Sequence, residues 1–211
     1  MILGIIPARG GSKGIPRKNL CLLHGKPLVV WSIESAKKSK LLDRFFVSTD
    51  DDEIADVSRK VGSEVLLRPV ELAGDDTTTL EVMEYHLKHI EADTVVLLQP
   101  TSPIRGRVID TAIQRFKSTG CDTLATGYMS THVAWGAVEH GPRQKQKAYF
   151  HDDGCVYIFD SKVIKSGRWI GDKPCSLVIP TICNMEIDTL TDFWVVEGIL
   201  WNILSRGVDG R

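Results

Sequence analysis

Between Pro7 and Asn19 the chain carries three glycines, Gly10, Gly11 and Gly14, and four cations, Arg9, Lys13, Arg17 and Lys18, with almost no apolar mass. Glycines let backbone N–H groups turn toward a ligand with no Cβ in the way. Consecutive N–H groups in such a turn form an anion-binding concavity. Lysines add point charges, and an arginine adds a guanidinium fork that matches phosphate oxygens. The run Ala8, Arg9, Gly10, Gly11, Ser12, Lys13, with Lys18 and Asn19 behind it, therefore reads as a polyphosphate site rather than an ordinary solvated loop. It is not the common ATPase loop, because no Gly-Lys-Ser/Thr stands at the required spacing. Nor is it Gly-x-Gly-x-x-Gly, because Gly10 and Gly11 are adjacent.

Three further groups could take part in chemistry. Near the C-terminus stand Glu186 and Asp188; if 182–188 is extended, they share one face. Two converging carboxylates suit Mg²⁺ or Mn²⁺, since hard cations prefer oxygen and keep several waters; a solvated strand edge is the plain alternative. Thr189-x-x-Asp192 nearly matches a capping box, so Asp192 reads as structural. Gln99, Thr101 and Ser102 lie in a turn stiffened by Pro100 and Pro103, which fits either a binding site or a rigid lead into a helix. Arg68 precedes Pro69, which disfavours helix there, and Thr77, Thr78 and Thr79 can cap a helix that begins beside them. His86 and His89 share one face of a helix with no third ligand, which reads as a solvated face.

These groups need a scaffold. Apolar runs predict strands near 2–6, 43–48, 64–67, 94–98 and 121–127, and amphipathic stretches predict helices near 27–38, 51–61, 77–91, 107–118 and 190–204. Pro27 suits a first helical turn. Asp50 is the expected N-cap of the second helix, with Asp51, Asp52 and Glu53 complementing its dipole. The alternation implies an α/β, doubly wound, mostly parallel sheet with its site at the strands' carboxyl ends. Thr94–Leu98 is apolar on both faces, as an interior parallel strand should be, so Gln99 falls at such an end. After Gly127 the alternation breaks. Residues 128–170 hold Tyr128, Trp135, Tyr149, Phe150, Tyr157, Phe159 and Trp169, with strand-like pieces near 134–138 and 155–159. Such an insertion is either extra core or a partner-binding surface.

The 211 residues fit one domain spanning 1–211. Net charge is −1, so the basic loop is local, which argues against nucleic acid as a partner. Five widely spaced cysteines without Cys-x-x-Cys argue against a disulfide framework or structural zinc and for a cytoplasmic setting. No apolar run approaches a membrane span.

The pattern Pro7-Ala-Arg-Gly-Gly-Ser-Lys-Gly-Ile-Pro-x-Lys-Asn-Leu20, with Gly25-Lys-Pro-Leu28, closely resembles the CMP-N-acylneuraminate synthetases, which make CMP-activated sialic acids from CTP. Arg68-Pro-x-Glu-Leu-Ala-x-Asp75, Leu97-Leu-Gln-Pro-Thr-Ser-Pro-x-Arg105, Pro142-Arg-Gln144 and Asp153-Gly-Cys-Val-Tyr-Ile158 extend the match. The resemblance implies a Rossmann-like fold of the nucleotide-diphospho-sugar transferase type, with 128–170 as a small antiparallel arm that docks on a second subunit. It implies a homodimer whose substrates are CTP and a 2-keto-3-deoxy nonulosonic acid. It implies triphosphate binding by Arg9, Ser12, Lys13 and Lys18, nucleoside contact by Asn19, cytosine recognition by Arg68 and Thr79, and sugar contacts from Gln99, Arg143 and Asp153. Arg9, Lys13, Lys18 and Asp188 would then carry catalysis, with a metal on Glu186 and Asp188. The chain departs from the family pattern at Asp153 for asparagine, Glu186 for aspartate and Trp135 for lysine. These departures leave open which sugar acid is used, including legionaminic, pseudaminic and deaminated relatives or Kdo. A CTP-binding module without catalysis is the rival from another class, against which both retained carboxylates speak.

Overall fold

The computed structural model describes residues 1–132, 142 and 146–206. Its centre is a seven-stranded sheet in the order β5-β4-β1-β6-β8-β7-β9. The strands are β1 (Ile2–Pro7), β4 (Arg44–Thr49), β5 (Glu64–Leu67), β6 (Thr94–Leu97), β7 (Thr123–Ser130), β8 (Tyr149–Asp160) and β9 (Pro174–Val178). Their pairings are parallel except those of β8, which runs antiparallel to β6 and β7. A hairpin of β2 (Leu22–Leu23) and β3 (Lys26–Pro27) turns through His24 and Gly25, both at positive φ.

Among the described residues, six α-helices cover the sheet: α1 (Leu28–Lys38), α2 (Asp52–Lys60), α3 (Thr79–Leu87), α4 (Val108–Thr119), α5 (Ser161–Lys165) and α6 (Leu190–Arg206). Successive strand residues point to opposite faces. In β1, Ile2 and Ile6 join the core under α1, α2, α4 and α6, while Leu3 and Ile5 join the core under α3 and α5. In β6, Val96 takes the first side and Val95 and Leu97 the second. A strand buried on both faces has no alternation to show, which is why Thr94–Leu97 reads as one apolar run.

The predicted elements that fall among the described residues form, with revised details. Asp51, not Asp50, caps α2 and accepts from Ile54 N–H at 2.9 Å. Thr78 caps α3 in a capping box with Glu81, so that helix begins at Thr79 and ends at Leu87. The stretch 182–188 is not extended; Thr181–Cys183 forms a 3₁₀ turn and 184–188 is irregular. His86 is buried rather than solvated, packed edge-on against Phe46 with Nε2 2.7 Å from Ser48 Oγ. Among the five cysteines, Cys121 and Cys175 are joined, their Cα atoms 5.9 Å apart, while Cys21, Cys155 and Cys183 are free. Residues 54 apart meet because β9 lies beside β7.

The expected strand at 134–138, and with it Trp135, lies outside the described residues. Within 128–170, Tyr157, Phe159 and Trp169 form an aromatic cluster in the core under α3 and α5. The part that projects is the β7–β8 ladder beyond Gly127, where Tyr128, Met129 and Tyr149 are exposed. No helix among the described residues is long and apolar enough to cross a membrane.

Candidate active site

The parallel strands β1, β4, β5 and β6 end along one rim of the sheet. The chain after β1 crosses toward β4 on one side, and β6 lies on the other, so a crevice opens between their carboxyl ends. A cavity of about 290 Å³ sits there. Arg9, Ser12, Lys18 and Asn19 line it from the loop after β1, Arg68, Asp75 and Thr79 from the segment after β5, and Gln99 and Thr101 from the turn after β6. Residues from three separate stretches of sequence thus meet at one place.

The glycine-rich loop is anchored at its base. The N–H of buried Ala8 donates to Ser48 O at 2.8 Å, and that of Gly10 donates to Asp50 Oδ1 at 3.1 Å. A Cβ on Gly10 would stand 2.6 Å from an Asp51 oxygen, so this close approach needs glycine. Gly11 faces open space. Asn19 is buried and donates from Nδ2 to Arg9 O at 3.0 Å, bracing the loop across its width.

The cations are met by carboxylates. Arg9 donates to Gly74 O at 3.0 Å and lies 3.2 Å from Asp75, whose second oxygen is 2.9 Å from Lys13 Nζ. The Asp75 carboxylate therefore presents these two cations with a pair of oxygens, as a phosphate would. The Lys13 hydrogen bond leads the effects that lower the Asp75 pKa. Lys18 Nζ donates to Ile187 O at 2.8 Å and to Asp188 at 3.1 Å, tying the β1 loop to the C-terminal carboxylates.

Arg68 is buried at 7 % exposure, its nearest carboxylate, Asp50, is 4.0 Å away, and its Nε has no hydrogen-bond partner. Burial pulls its pKa down. An unsatisfied buried donor on a cavity wall is costly unless something accepts from it, so this is an acceptor-seeking position. Thr79 opens α3 beside it. Below them His86 is held neutral, its pKa lowered to about 4 first by burial and then by the Arg68 charge. The unfolded chain, with a histidine pKa near 6.5, binds more protons than the folded one between pH ~6.5 and ~4, so folding stability falls as pH drops through that window. Thermal melts from pH 7.5 to 4.5 should show this loss, and His86→Asn should flatten it.

On the far side of the crevice, Thr101 Oγ donates to Glu186 Oε1 at 3.2 Å, and Ile187 N–H donates to Thr101 O at 2.8 Å. Ser102 is fully buried under this turn, and its hydroxyl lacks a protein partner. Loss of solvation, then the nearby Asp188 charge, push the Glu186 pKa up. Asp153 is buried; Oδ1 accepts from Thr126 Oγ at 2.8 Å and Cys155 N–H at 3.0 Å, while Oδ2 has no partner. Burial raises its pKa as well. Arg143 lies outside the described residues.

No group of three or more His, Cys, Asp or Glu is arranged to hold a metal among the described residues. The pair Glu186 and Asp188 does fit a divalent cation that keeps its waters and shares phosphate oxygens. The Asp188 charge lies close enough to disfavour the ionised form of Glu186. Asp192 does not compete for this role. Its carboxylate accepts from Asp188 N–H at 3.1 Å and Thr189 N–H at 2.7 Å, capping α6.

Asp75 and Arg105 belong to motifs visible in the sequence, yet their partners are visible only in the fold. Thr77, read from the sequence as a helix cap, also lines the cavity, as do Leu72, Gly74 and Val82, to which the sequence assigned no role of their own.

A cytidylyltransferase family model matches residues 3–164. The chain belongs to the cytidylyltransferase family. Within it, the chain is similar to CMP-N,N'-diacetyllegionaminic acid synthase of Legionella pneumophila, at 31% identity over 94% of this chain and 96% of that one. It is also similar to N-acylneuraminate cytidylyltransferase A of Danio rerio, at 29% identity over 93% of this chain and 50% of that one. The chain thus spans about half the length of several curated relatives that it matches. Among solved structures, a CMP:2-keto-3-deoxy-manno-octonic acid synthetase complexed with CTP superposes with TM-score 0.77 at 16% identity, covering 95% of this chain and 98% of that one. That likeness establishes the doubly wound α/β fold.

Proposed function

We propose that this chain is an enzyme that transfers CMP from CTP to a sialic-acid-like nonulosonic acid, releasing pyrophosphate. The observation that carries the reading is the crevice itself. A glycine-rich cationic loop and a buried arginine with a free donor line one cavity of about 290 Å³, and two of its lining residues, Thr101 and Lys18, hydrogen-bond the carboxylates of Glu186 and Asp188. Cytosine presents O2 and N3 as acceptors, which suits Arg68; Asn19 and Thr79 complete the nucleoside end. Arg9, Ser12, Lys13 and Lys18 hold the triphosphate, displacing the Asp75 carboxylate from Arg9 and Lys13. Gln99, Thr101 and Asp153 face the sugar acid, with Ser102 behind them, and the resemblance assigns Arg143 to the same substrate.

The hydroxyl on the sugar's anomeric carbon attacks the α-phosphorus in line, and pyrophosphate leaves. Catalysis is positioning plus stabilisation of developing negative charge by the loop cations. Glu186 and Asp188 would hold Mg²⁺, which when bound supplies charge to the α-phosphate and acidifies the attacking hydroxyl. N,N'-diacetyllegionaminic acid is the specific alternative to N-acylneuraminate, favoured by the near full-length match to the Legionella synthase.

Nucleotide selectivity tests the reading. CTP should be productive, with UTP, ATP and GTP poor, because a mismatched base leaves a buried donor unpaired at about 1–3 kcal/mol. Equal pyrophosphate release from UTP and CTP would contradict it.

We further infer a homodimer with 1–211 as one domain, supported by the exposed Tyr128, Met129 and Tyr149 at the projecting end of β7 and β8. Light scattering at micromolar concentration should give twice the chain mass, and a monomer would reject this. A cytoplasmic location now rests on three free thiols, since Cys121 and Cys175 are joined.

A further inference from the structure

Arg105 is 1% exposed, so its cation is buried as deeply as the central apolar side chains. It makes no ion pair among the described residues. Instead its guanidinium donates to three neutral oxygens on three elements: Cys155 O in β8 at 3.0 Å, Ser32 Oγ in α1 at 2.8 Å, and Gln99 O just past β6. Burial lowers its pKa. Burying an unpaired cation is expensive, so its retention calls for a reason.

The register of the sheet supplies one. In the β6–β8 ladder Leu97 lies opposite Tyr157 and Val96 opposite Ile158. Continued for two residues, that register would set Gln99 opposite Cys155. The β6 ladder stops at Leu97, and the carbonyls of Gln99 and Cys155 both accept from Arg105. The guanidinium thus stands as a wedge in the fork where the two strands part, satisfying carbonyls that strand pairing would otherwise have taken. Beyond the wedge the fork contains the acceptor-side groups. A Cβ on Gly154, which sits at φ +68°, would stand 2.4 Å from Gln99 Oε1 and 2.9 Å from Glu186 Oε1. Gln99, Glu186 and the Asp153–Gly154 bulge of β8 therefore meet at one place beside the fork.

We propose that Arg105 is the positioning residue of the acceptor half of the site, a wedge that aims Gln99 and the Asp153–Gly154 bulge of β8 at the sugar acid; this rests on the proposed function. It touches no substrate. Lysine in its place keeps the charge but cannot bridge both carbonyls and Ser32 at once. Arg105→Lys should therefore raise KM for the sugar acid about tenfold or more while KM for CTP stays within about twofold, a split that uniform loosening of the fold does not produce. Ser32→Ala, which removes only the α1 anchor, should lower the melting temperature without that split. If the lysine variant does not fold, Arg105→Gln, which buries no charge and keeps a donor, should show the same split. Parallel rises in both KM values, or no rise in either for a folded variant, would overturn the assignment. Should the wild-type protein release no pyrophosphate with any sugar acid, the proposed function fails, and the wedge is then judged separately. In ¹H–¹⁵N spectra the side-chain amide signals of Gln99 should shift in the folded Arg105 variant while those of Asn19 do not, and unmoved Gln99 signals would refute it.

Discussion

Lys18→Ala is expected to abolish nearly all turnover while the protein stays folded. Lys18 lies between the two halves of the chemistry: its Nζ is 2.8 Å from Ile187 O and 3.1 Å from Asp188. Removing it takes one cation from the proposed triphosphate site and also releases the 186–188 segment from the β1 loop. Loss of a preorganised charge at a reacting phosphate costs about 10²–10³-fold in kcat. The stability cost is much smaller, about 1 kcal/mol, because Asp188 is largely exposed and water replaces its partner. Steady-state pyrophosphate release beside a thermal melt separates the two. A variant with wild-type kcat would return the glycine-rich loop to a solvated connection.

The second large effect concerns the carboxylate pair. Activity should require Mg²⁺ or Mn²⁺ and disappear with a chelator. Asp188→Asn and Glu186→Gln should each lower kcat by about 10²–10³-fold, since each keeps its shape but loses the charge that holds a hard cation. Glu186→Asp restores the usual family acid and should keep measurable activity. Asp192→Asn should act instead on α6, whose cap it forms, and show mainly as a lower melting temperature, by about 1 kcal/mol of stability. Normal turnover in Asp188→Asn with a dead Asp192→Asn would put the metal on other carboxylates.

The scaffold was legible where one physical signal dominated. Glu64–Leu67 and Ile2–Pro7 are short apolar runs between turn residues, and strands form there. The first turn of α2 was visible as a run of acids, but four successive candidates hide which one caps. Asp51 takes that place because Asp50 is engaged by Gly10 N–H and faces Arg68. His86 looked solvated because a polar residue on a helix carries no mark of burial. Its ring is taken into the core by Phe46 and Ser48, which lie 40 and 38 residues away in β4. Glu186 and Asp188 approach one another without the strand that their two-residue spacing suggested, because Thr101 and Lys18 hold that irregular segment from across the crevice. The roles of Asp75 and Arg105 depend on contacts between distant residues, which no local pattern records.

The most direct test of the account is product formation. The protein, CTP and Mg²⁺ should be incubated with a panel containing N-acetylneuraminate, N,N'-diacetyllegionaminate and Kdo, and the mixture followed by mass spectrometry. A CMP-linked nonulosonic acid should form together with one pyrophosphate per CTP consumed. Recovery of unchanged CTP across the panel, with the nucleotide bound but no CMP-sugar formed, would contradict it and leave a CTP-binding module in its place.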